Sequence, residues 1–333
     1  MNKAYIKYIT YYLPENTLTN EQLVNEFPEW TVEKIASKVG VSVRHISSTD
    51  ETAGDMAVKA AERLFKEHPD CRDSVDFILL CTQSPDYFLP STACVIQHRL
   101  GLKTECGAFD IDLGCSGYEY GLAVAKGFIA SGIASNILLL TAETYTKHIH
   151  PKDKGNRTIF GDGATATMVS TDGFALIGEF CLGTDGSGAG ELIHKTGGWR
   201  FPDKANDIRT DENNGLISSD HLFMDGKAIF DFTAESVPKM VDQVITKNNL
   251  TFDDVNLFIF HQANKYMINY LRKLIGIDKE RFYMYLDSVG NTVSSTIPIA
   301  LCEAIKEGKA KGNVLLAGFG VGLSYAGVMI NIL

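Results

Sequence analysis

Three side chains in this sequence combine into a reactive set: the thiol of Cys115, the imidazole of His261 and the carboxamide of Asn291. Cys115 lies in "DIDLGCSGYEYGLAVAKGFIASG" (110–132), between Gly114 and Gly117. An apolar stretch (Phe109, Ile111, Leu113) precedes it, and Tyr118, Leu122, Ala125 and Ile129 follow at helical spacing. The pattern predicts strand, tight turn and helix, with the thiol in the first helical turn. The unpaired N–H groups and positive dipole end found there stabilise thiolate. The flanking glycines leave room for an electrophile to approach the sulfur. A buried, inert cysteine is the commoner state of a free thiol, so this segment alone leaves both readings open. His261 follows the apolar run "LFIF", at the strand end where α/β sheets bind ligands, and Asn291 follows Gly290. Singly, the histidine reads as a structural residue and the asparagine as a turn or cap residue.

What joins the three is an internal echo. "SVDFILLCTQ" (74–83) is matched by "DVNLFIFHQA" (254–263), and "NILLLTAE" (136–143) by "NVLLAGFG" (313–320). Each is a continuous apolar run of the kind a buried strand carries. Between the members of each set lies a glycine-marked turn into a helical pattern, Gly114-Cys115 in one half and Gly290-Asn291 in the other. The offsets, about 180, 177 and 176 residues, preserve order and spacing. Strands alternating with helices predict mainly parallel, helix-covered sheets. The expected organisation is two similar α/β halves, 1–172 with the cysteine and 173–333 with the histidine and asparagine. A pseudo-twofold relation aims all three at one crevice and favours a Cys–His–Asn site.

Composition narrows the class. The 333 residues are 45% hydrophobic and 22% charged, ordinary for a globular protein. A net charge of −10 argues against nucleic-acid binding, which rests on lysine and arginine. No apolar run approaches a bilayer span, so no membrane partner is expected. Seven cysteines form no CxxC pair, and "MNKAYIKYIT" carries no apolar leader, so a reducing cytoplasm is the expected setting.

With these motifs in hand, the sequence resembles the β-ketoacyl-acyl-carrier-protein synthase III family of the thiolase superfamily. The resemblance rests on "GCSG" around Cys115, "FHQAN" (260–264), "GNTVSSTIP" (290–298) and "GFGVGLSYAG" (318–327). "RHIS…ETAGDMAVKAA" (44–61), "FLPSTAC" (88–94) and "IFGDGATA" (159–166) support it, and the match runs from about residue 30 to the C-terminus. It implies a thiolase-like α/β fold, a duplicated αβαβα arrangement in five layers, and a homodimer. It implies acyl transfer from an acyl-CoA to Cys115, then decarboxylative Claisen condensation with a malonyl thioester, here expected on acyl carrier protein. Coenzyme A enters as a substrate thioester; no permanently bound cofactor and no metal are expected. By the resemblance, the backbone N–H groups of Cys115 and Val321 form the oxyanion hole, while His261 and Asn291 hold the enolate. It further implies coenzyme A contacts from Trp30, Lys34, Lys154 and Asn264, an acyl pocket at Leu89 and Phe319, and carrier docking at Lys265 and Lys273.

Several positions depart from the family pattern. Lys34 and Lys154 stand where arginines are usual, and lysine lacks the planar stacking surface. Tyr266 replaces a docking arginine. Leu89 replaces a phenylalanine that closes the acyl pocket across the dimer, which implies a deeper pocket and a primer longer than acetyl. "GFGVG" lies too near the C-terminus to open a βαβ dinucleotide unit. Cys302 falls in a helical pattern, unlike the second cysteine of thiolases. "GTDGSGAGEL" (183–192) and the His148/His150 pair read as loops. Two rivals remain: acyl transfer to a hydroxyl or amine, and a non-catalytic partner subunit of a synthase.

Overall fold

A computed structural model of the chain describes residues 2–210 and 215–333. Ten strands build the main sheet: β1 (Tyr5–Tyr12), β2 (Phe77–Cys81), β3 (Gly107–Ile111), β4 (Asn136–Glu143), β5 (Gly163–Ser170), β6 (Ala175–Thr184), β7 (Leu257–Phe260), β8 (Phe282–Tyr283), β9 (Gly312–Gly320) and β10 (Ser324–Ile332). Its order is β8-β7-β9-β10-β6-β1-β5-β4-β2-β3. Read inward from either edge, each half repeats one plan. Three strands run parallel (β3, β2, β4; then β8, β7, β9), followed by two antiparallel ones (β5, β1; then β10, β6). Within the sheet the halves are joined by β1 and β6, paired at Tyr5↔Leu176 and Ile6↔Ala175. The mainly parallel sheets expected from sequence are thus mixed. The turn from Gly320 to Ser324 is too short for a crossover, so β10 must return antiparallel to β9.

The helices are α1 (Asn20–Glu26), α2 (Val32–Lys38), α3 (Ala53–Glu67), α4 (Thr92–Arg99), α5 (Gly117–Ser131), α6 (Lys154–Arg157), α7 (Gly226–Lys247), α8 (Lys265–Ile275) and α9 (Thr296–Lys306). Side chains alternate across a strand, and the core follows that rule. Ile78 and Leu80 of β2 pack with Met56, Ala60 and Leu64 of α3 and with Ala93 and Ile96 of α4. Leu79 between them turns to the opposite face, into a cluster with Leu122 and Ala125 of α5 and Ile297 and Leu301 of α9. Ile259 of β7 enters the same cluster from the other half, while Phe258 and Phe260 pack outward with Val241 and Val244 of α7 and Ile268 of α8. The result is α3/α4, sheet, α5/α9, sheet, α7/α8: five layers, αβαβα. Burial on both faces explains why β2 and β7 read as unbroken apolar runs.

The N-terminal strand is a difference from the sequence reading, which began the resemblance near residue 30. β1 pairs with β5 along its length and joins the two halves.

Candidate active site

Cys115 sits in the loop after β3, one residue ahead of the α5 cap, Ser116. The thiol is therefore beside the helix start rather than inside its first turn. It is buried. Burial pushes it up to about 12, opposed by hydrogen bonds from the Val321 and Cys115 backbone N–H groups and reinforced by the Glu143 and Glu119 carboxyls. Desolvation is the larger influence there and favours the protonated thiol. Gly320 closes over the sulfur, where a Cβ would lie 2.8 Å from Sγ, so no side chain fits between the β9–β10 turn and the thiol.

His261 follows β7, its backbone N–H donating to the Ala317 carbonyl of β9 at 2.8 Å. Its ring is fully enclosed, with Phe319 edge-on at 5.9 Å. Phe319, expected in the acyl pocket, is buried against His261 and Phe260, so it backs the imidazole instead. Thr296 opens α9. Its hydroxyl donates to the Val293 carbonyl at 3.0 Å and accepts from His261 Nδ1 at 2.7 Å. Nε2 is then left as an acceptor toward Asn291 Nδ2, 3.5 Å away. Burial pulls the imidazole down to about 3, so it is neutral at ordinary pH.

Asn291 lies just before a 3-10 turn, Val293–Ser295, that leads into α9. Its backbone is bridged to Phe160, and its Oδ1 accepts from the Val293 N–H at 2.9 Å. That bond holds the carboxamide with Nδ2 aimed at His261. Val293 has φ of 55°, a strained conformation for a β-branched residue. Cys115 and Asn291 thus precede the two helices of the middle layer, α5 and α9, as the duplication predicted.

Glu143 was missed in the sequence. It ends β4, fully buried, and accepts from the Gln83 N–H, the Ser84 hydroxyl and the Ser294 hydroxyl, each at 3.1 Å. Burial raises its carboxyl to about 8. An acidic residue closing the apolar run "NILLLTAE" was the available signal. Beside Val321 lies a cavity of about 320 Å³, bordered among others by Gln83, Tyr145, Leu192 and Leu222.

Comparison with known proteins bears on this arrangement. A profile for 3-oxoacyl-[acyl-carrier-protein (ACP)] synthase III matches residues 109–186, and one for the C terminal part of the same proteins matches 245–332. The chain is 36% identical to the β-ketoacyl-[acyl-carrier-protein] synthase III of Clostridium perfringens over 324 residues, covering 96% of this chain and 97% of that one. The chain belongs to this family. A 2.1 Å crystal structure of a 3-oxoacyl-(acyl-carrier-protein) synthase III superposes with a TM-score of 0.96 at 44% identity, over 99% of this chain and 100% of that one. The priming β-ketosynthase of the R1128 polyketide pathway superposes with a TM-score of 0.86 at 27% identity, over 99% and 96%. The resemblance therefore reaches past residue 30 into the N-terminal strand.

The other residues expected from the synthase III pattern are more scattered. Lys34 Nζ lies 5.2 Å from the Trp30 ring centroid, and Lys154 is paired with Glu29 at 2.6 Å. Both lysines already have partners within the chain. Arg157, which sequence reasoning passed over, pairs with Glu26 and borders a second cavity of about 360 Å³ that reaches Phe160. Asn264 caps α8, its side-chain Oδ1 accepting from the Met267 N–H at 2.9 Å. The aliphatic stem of Lys265 crosses Gly40, and Lys265 and Lys273 are both exposed on α8. Tyr266 and Tyr270 of α8 form an aromatic patch with Phe230 of α7. Leu89 is 79% exposed and does not border the cavity beside Val321. His148 and His150 do not pair with each other. His148 meets His194, and His150 meets His221.

Proposed function

We propose that this chain catalyses decarboxylative condensation, taking an acyl group from coenzyme A onto Cys115 and joining it to a malonyl unit carried by acyl carrier protein. In the first half-reaction His261 Nε2 accepts the Cys115 proton as the sulfur attacks the thioester carbonyl. The oxyanion forms against the Cys115 and Val321 N–H groups. Collapse breaks the bond to the coenzyme A sulfur, which leaves with the proton returned by His261 as a free thiol.

In the second half-reaction the malonyl carboxylate leaves as carbon dioxide, and its electron pair builds an enolate on the thioester oxygen. Asn291 Nδ2 donates to that oxygen, and so does His261 once the Thr296 hydroxyl turns from the Val293 carbonyl to Nδ1 and the imidazole proton sits on Nε2. The enolate carbon attacks the acyl-cysteine carbonyl. The Cys115 thiolate is expelled and takes one proton from solvent, which restores the thiol and frees a 3-oxoacyl thioester.

What supports this reading is a buried sulfur that the Cys115 and Val321 backbone N–H groups approach, together with a neutral imidazole whose Nε2 faces the Asn291 carboxamide N–H. Acyl transfer to a hydroxyl or amine has no enolate to stabilise and no use for Asn291. In the same reading Leu89, exposed in one chain, reaches the pocket of a second copy, and the enzyme is a homodimer divided at residues 172/173, the turn between β5 and β6. We place it in the cytoplasm: its seven cysteines are all unbonded, and among the described residues no helix is long and apolar enough to cross a membrane. The test is stoichiometric. Acyl-loaded enzyme mixed with malonyl-acyl carrier protein releases one carbon dioxide per 3-oxoacyl product; acyl transfer without carbon dioxide release refutes the proposal.

A further inference from the structure

The cavity beside the thiol does not have the wall that a plain hydrocarbon requires. Leu192 and Leu222 supply buried apolar surface. The lining also includes the Gln83 amide, the Tyr145 hydroxyl, the His148 and His194 rings and the Asp112 carboxylate. These groups converge. His148 Nδ1 and His194 Nδ1 stand 2.9 Å apart, and the Tyr145 hydroxyl lies 3.5 Å from Gln83 Oε1. Gln83 is also close to the nucleophile. A Cβ on Gly114, the residue before Cys115, would lie 2.6 Å from Gln83 Oε1 and 2.6 Å from the Val321 side chain.

Gln83, Asp112, His148 and His194 border a wider groove as well, about 830 Å³, which runs out to Tyr87 and Phe88. These residues border both spaces and so stand where the cavity beside Val321 meets the groove. An alkyl chain crossing that junction strips water from an amide and two imidazoles and returns no hydrogen bond. A chain carrying an oxygen at that depth restores one. An ionised carboxylate suits the junction less, because the Asp112 carboxylate is part of the same wall and like charges repel.

We propose that the acyl group loaded on Cys115 bears a neutral oxygen substituent, a hydroxyl or a ketone some carbons beyond the thioester, recognised by Gln83, His148 and His194. The proposal rests on the acyl-cysteine reading above and adds to it the chemical class of the primer. It keeps the expectation of a primer longer than acetyl and changes what the extra length carries.

The experiment compares six-carbon coenzyme A thioesters of equal reach: hexanoyl, 5-hydroxyhexanoyl, 5-oxohexanoyl and adipoyl. The readout is the single-turnover rate of adduct formation on the intact full-length chain, followed by mass. A site built to hydrogen-bond a substrate group rejects the analogue lacking it by as much as 10⁴–10⁵. At least a ~10-fold advantage of the hydroxy or oxo thioester over hexanoyl is therefore expected. Gln83→Leu and His194→Leu, one half-buried and one exposed, are each expected to cut that ratio below ~2 by raising hexanoyl or slowing its rivals. Hexanoyl reacting as fast as the oxygenated thioesters overturns the proposal, as does a preference that survives both substitutions. Adipoyl reacting fastest overturns the neutral assignment in favour of a cationic histidine pair. No adduct from any thioester overturns the acyl-cysteine reading itself, and this proposal with it.

Discussion

Replacing Asn291 by alanine separates the two half-reactions and carries two costs that can be measured apart. The first is structural. Oδ1 of Asn291 is the partner of the Val293 N–H at 2.9 Å, and Val293 is fully buried with φ of 55°. Alanine leaves that N–H unsatisfied at a strained residue, at a cost of about 1–3 kcal/mol in stability. The second is catalytic. Nδ2 is lost from its place 3.5 Å from His261 Nε2, and with it one donor to the enolate. Loss of one such donor typically costs about 2.7–4 kcal/mol in the transition state, or ~10²–10³ in rate. Acylation uses the Cys115 and Val321 N–H groups and His261, so its rate is expected within a few-fold of the parent. The assay loads both proteins with the same acyl-CoA, measures the adduct by mass, then times product release on adding malonyl-acyl carrier protein. Thermal unfolding alongside reports the structural cost. A folded variant that condenses at the parental rate refutes the enolate role and returns the acyl-transfer rival. One that loses acylation as fully as condensation shows that Asn291 serves the first step.

Other substitutions test neighbouring parts of the account. Glu143 is buried with its carboxyl raised to about 8 from an ordinary 4.5, so between those values the folded state holds a proton that the unfolded chain has released. This group's contribution therefore falls as pH rises through that window, by about 1.4 kcal/mol per unit. Denaturation midpoints at pH 5.5 and 7.5 are expected to show a shallower decline in Glu143→Gln than in the parent; equal slopes contradict the assignment. Thr296→Val removes the hydroxyl on His261 Nδ1, a bond worth about 1–1.5 kcal/mol, and is expected to slow both half-reactions about tenfold; an unchanged rate would mean the tautomer is set elsewhere. Reversing the charge of Lys265 and Lys273 together is expected to raise the KM for malonyl-acyl carrier protein and flatten its salt dependence, and carrier kinetics that do not move place docking on another face. Leu89→Phe is expected to shift acylation toward shorter chains, at roughly 10–200-fold per methylene of lost fit; an unaltered chain-length profile shows that Leu89 does not close the pocket.

The parts of this protein legible in its sequence are those where a local pattern and a repeat agree. β2, β4, β7 and β9 read as strands because both faces are buried, and the matched order of their echoes related Cys115 to Asn291 across the halves. β1 was not legible. "YIKYITYY" owes its place to β5 and β6, more than 150 residues away, and only that pairing makes it the strand that joins the halves. The burial of the thiol was illegible for a related reason. A helix start is visible in sequence, whereas the depth of burial that overrides it depends on Gly320 and Val321 from the far end of the chain. The carboxylate and indole neighbours of the two lysines expected to hold coenzyme A are set by tertiary packing. The cap role of Asn264 was also legible, since an asparagine before "KYMINYLRKLIG" is a helix-cap signature. The contact of His148 with His194 spans two loops 46 residues apart, and no periodicity announces it.

The central claim is that Cys115, alone among seven cysteines, carries the acyl group. Cys94 is the natural competitor, because it is the one exposed thiol in the chain. The direct measurement is peptide mapping by mass after brief exposure of the full-length enzyme to an acyl-CoA, with Cys115→Ala and Cys94→Ser treated in parallel. One acyl group per chain is expected on the peptide spanning Cys115, absent from Cys115→Ala and undiminished in Cys94→Ser. An adduct on any other cysteine, or one that persists in Cys115→Ala, contradicts it.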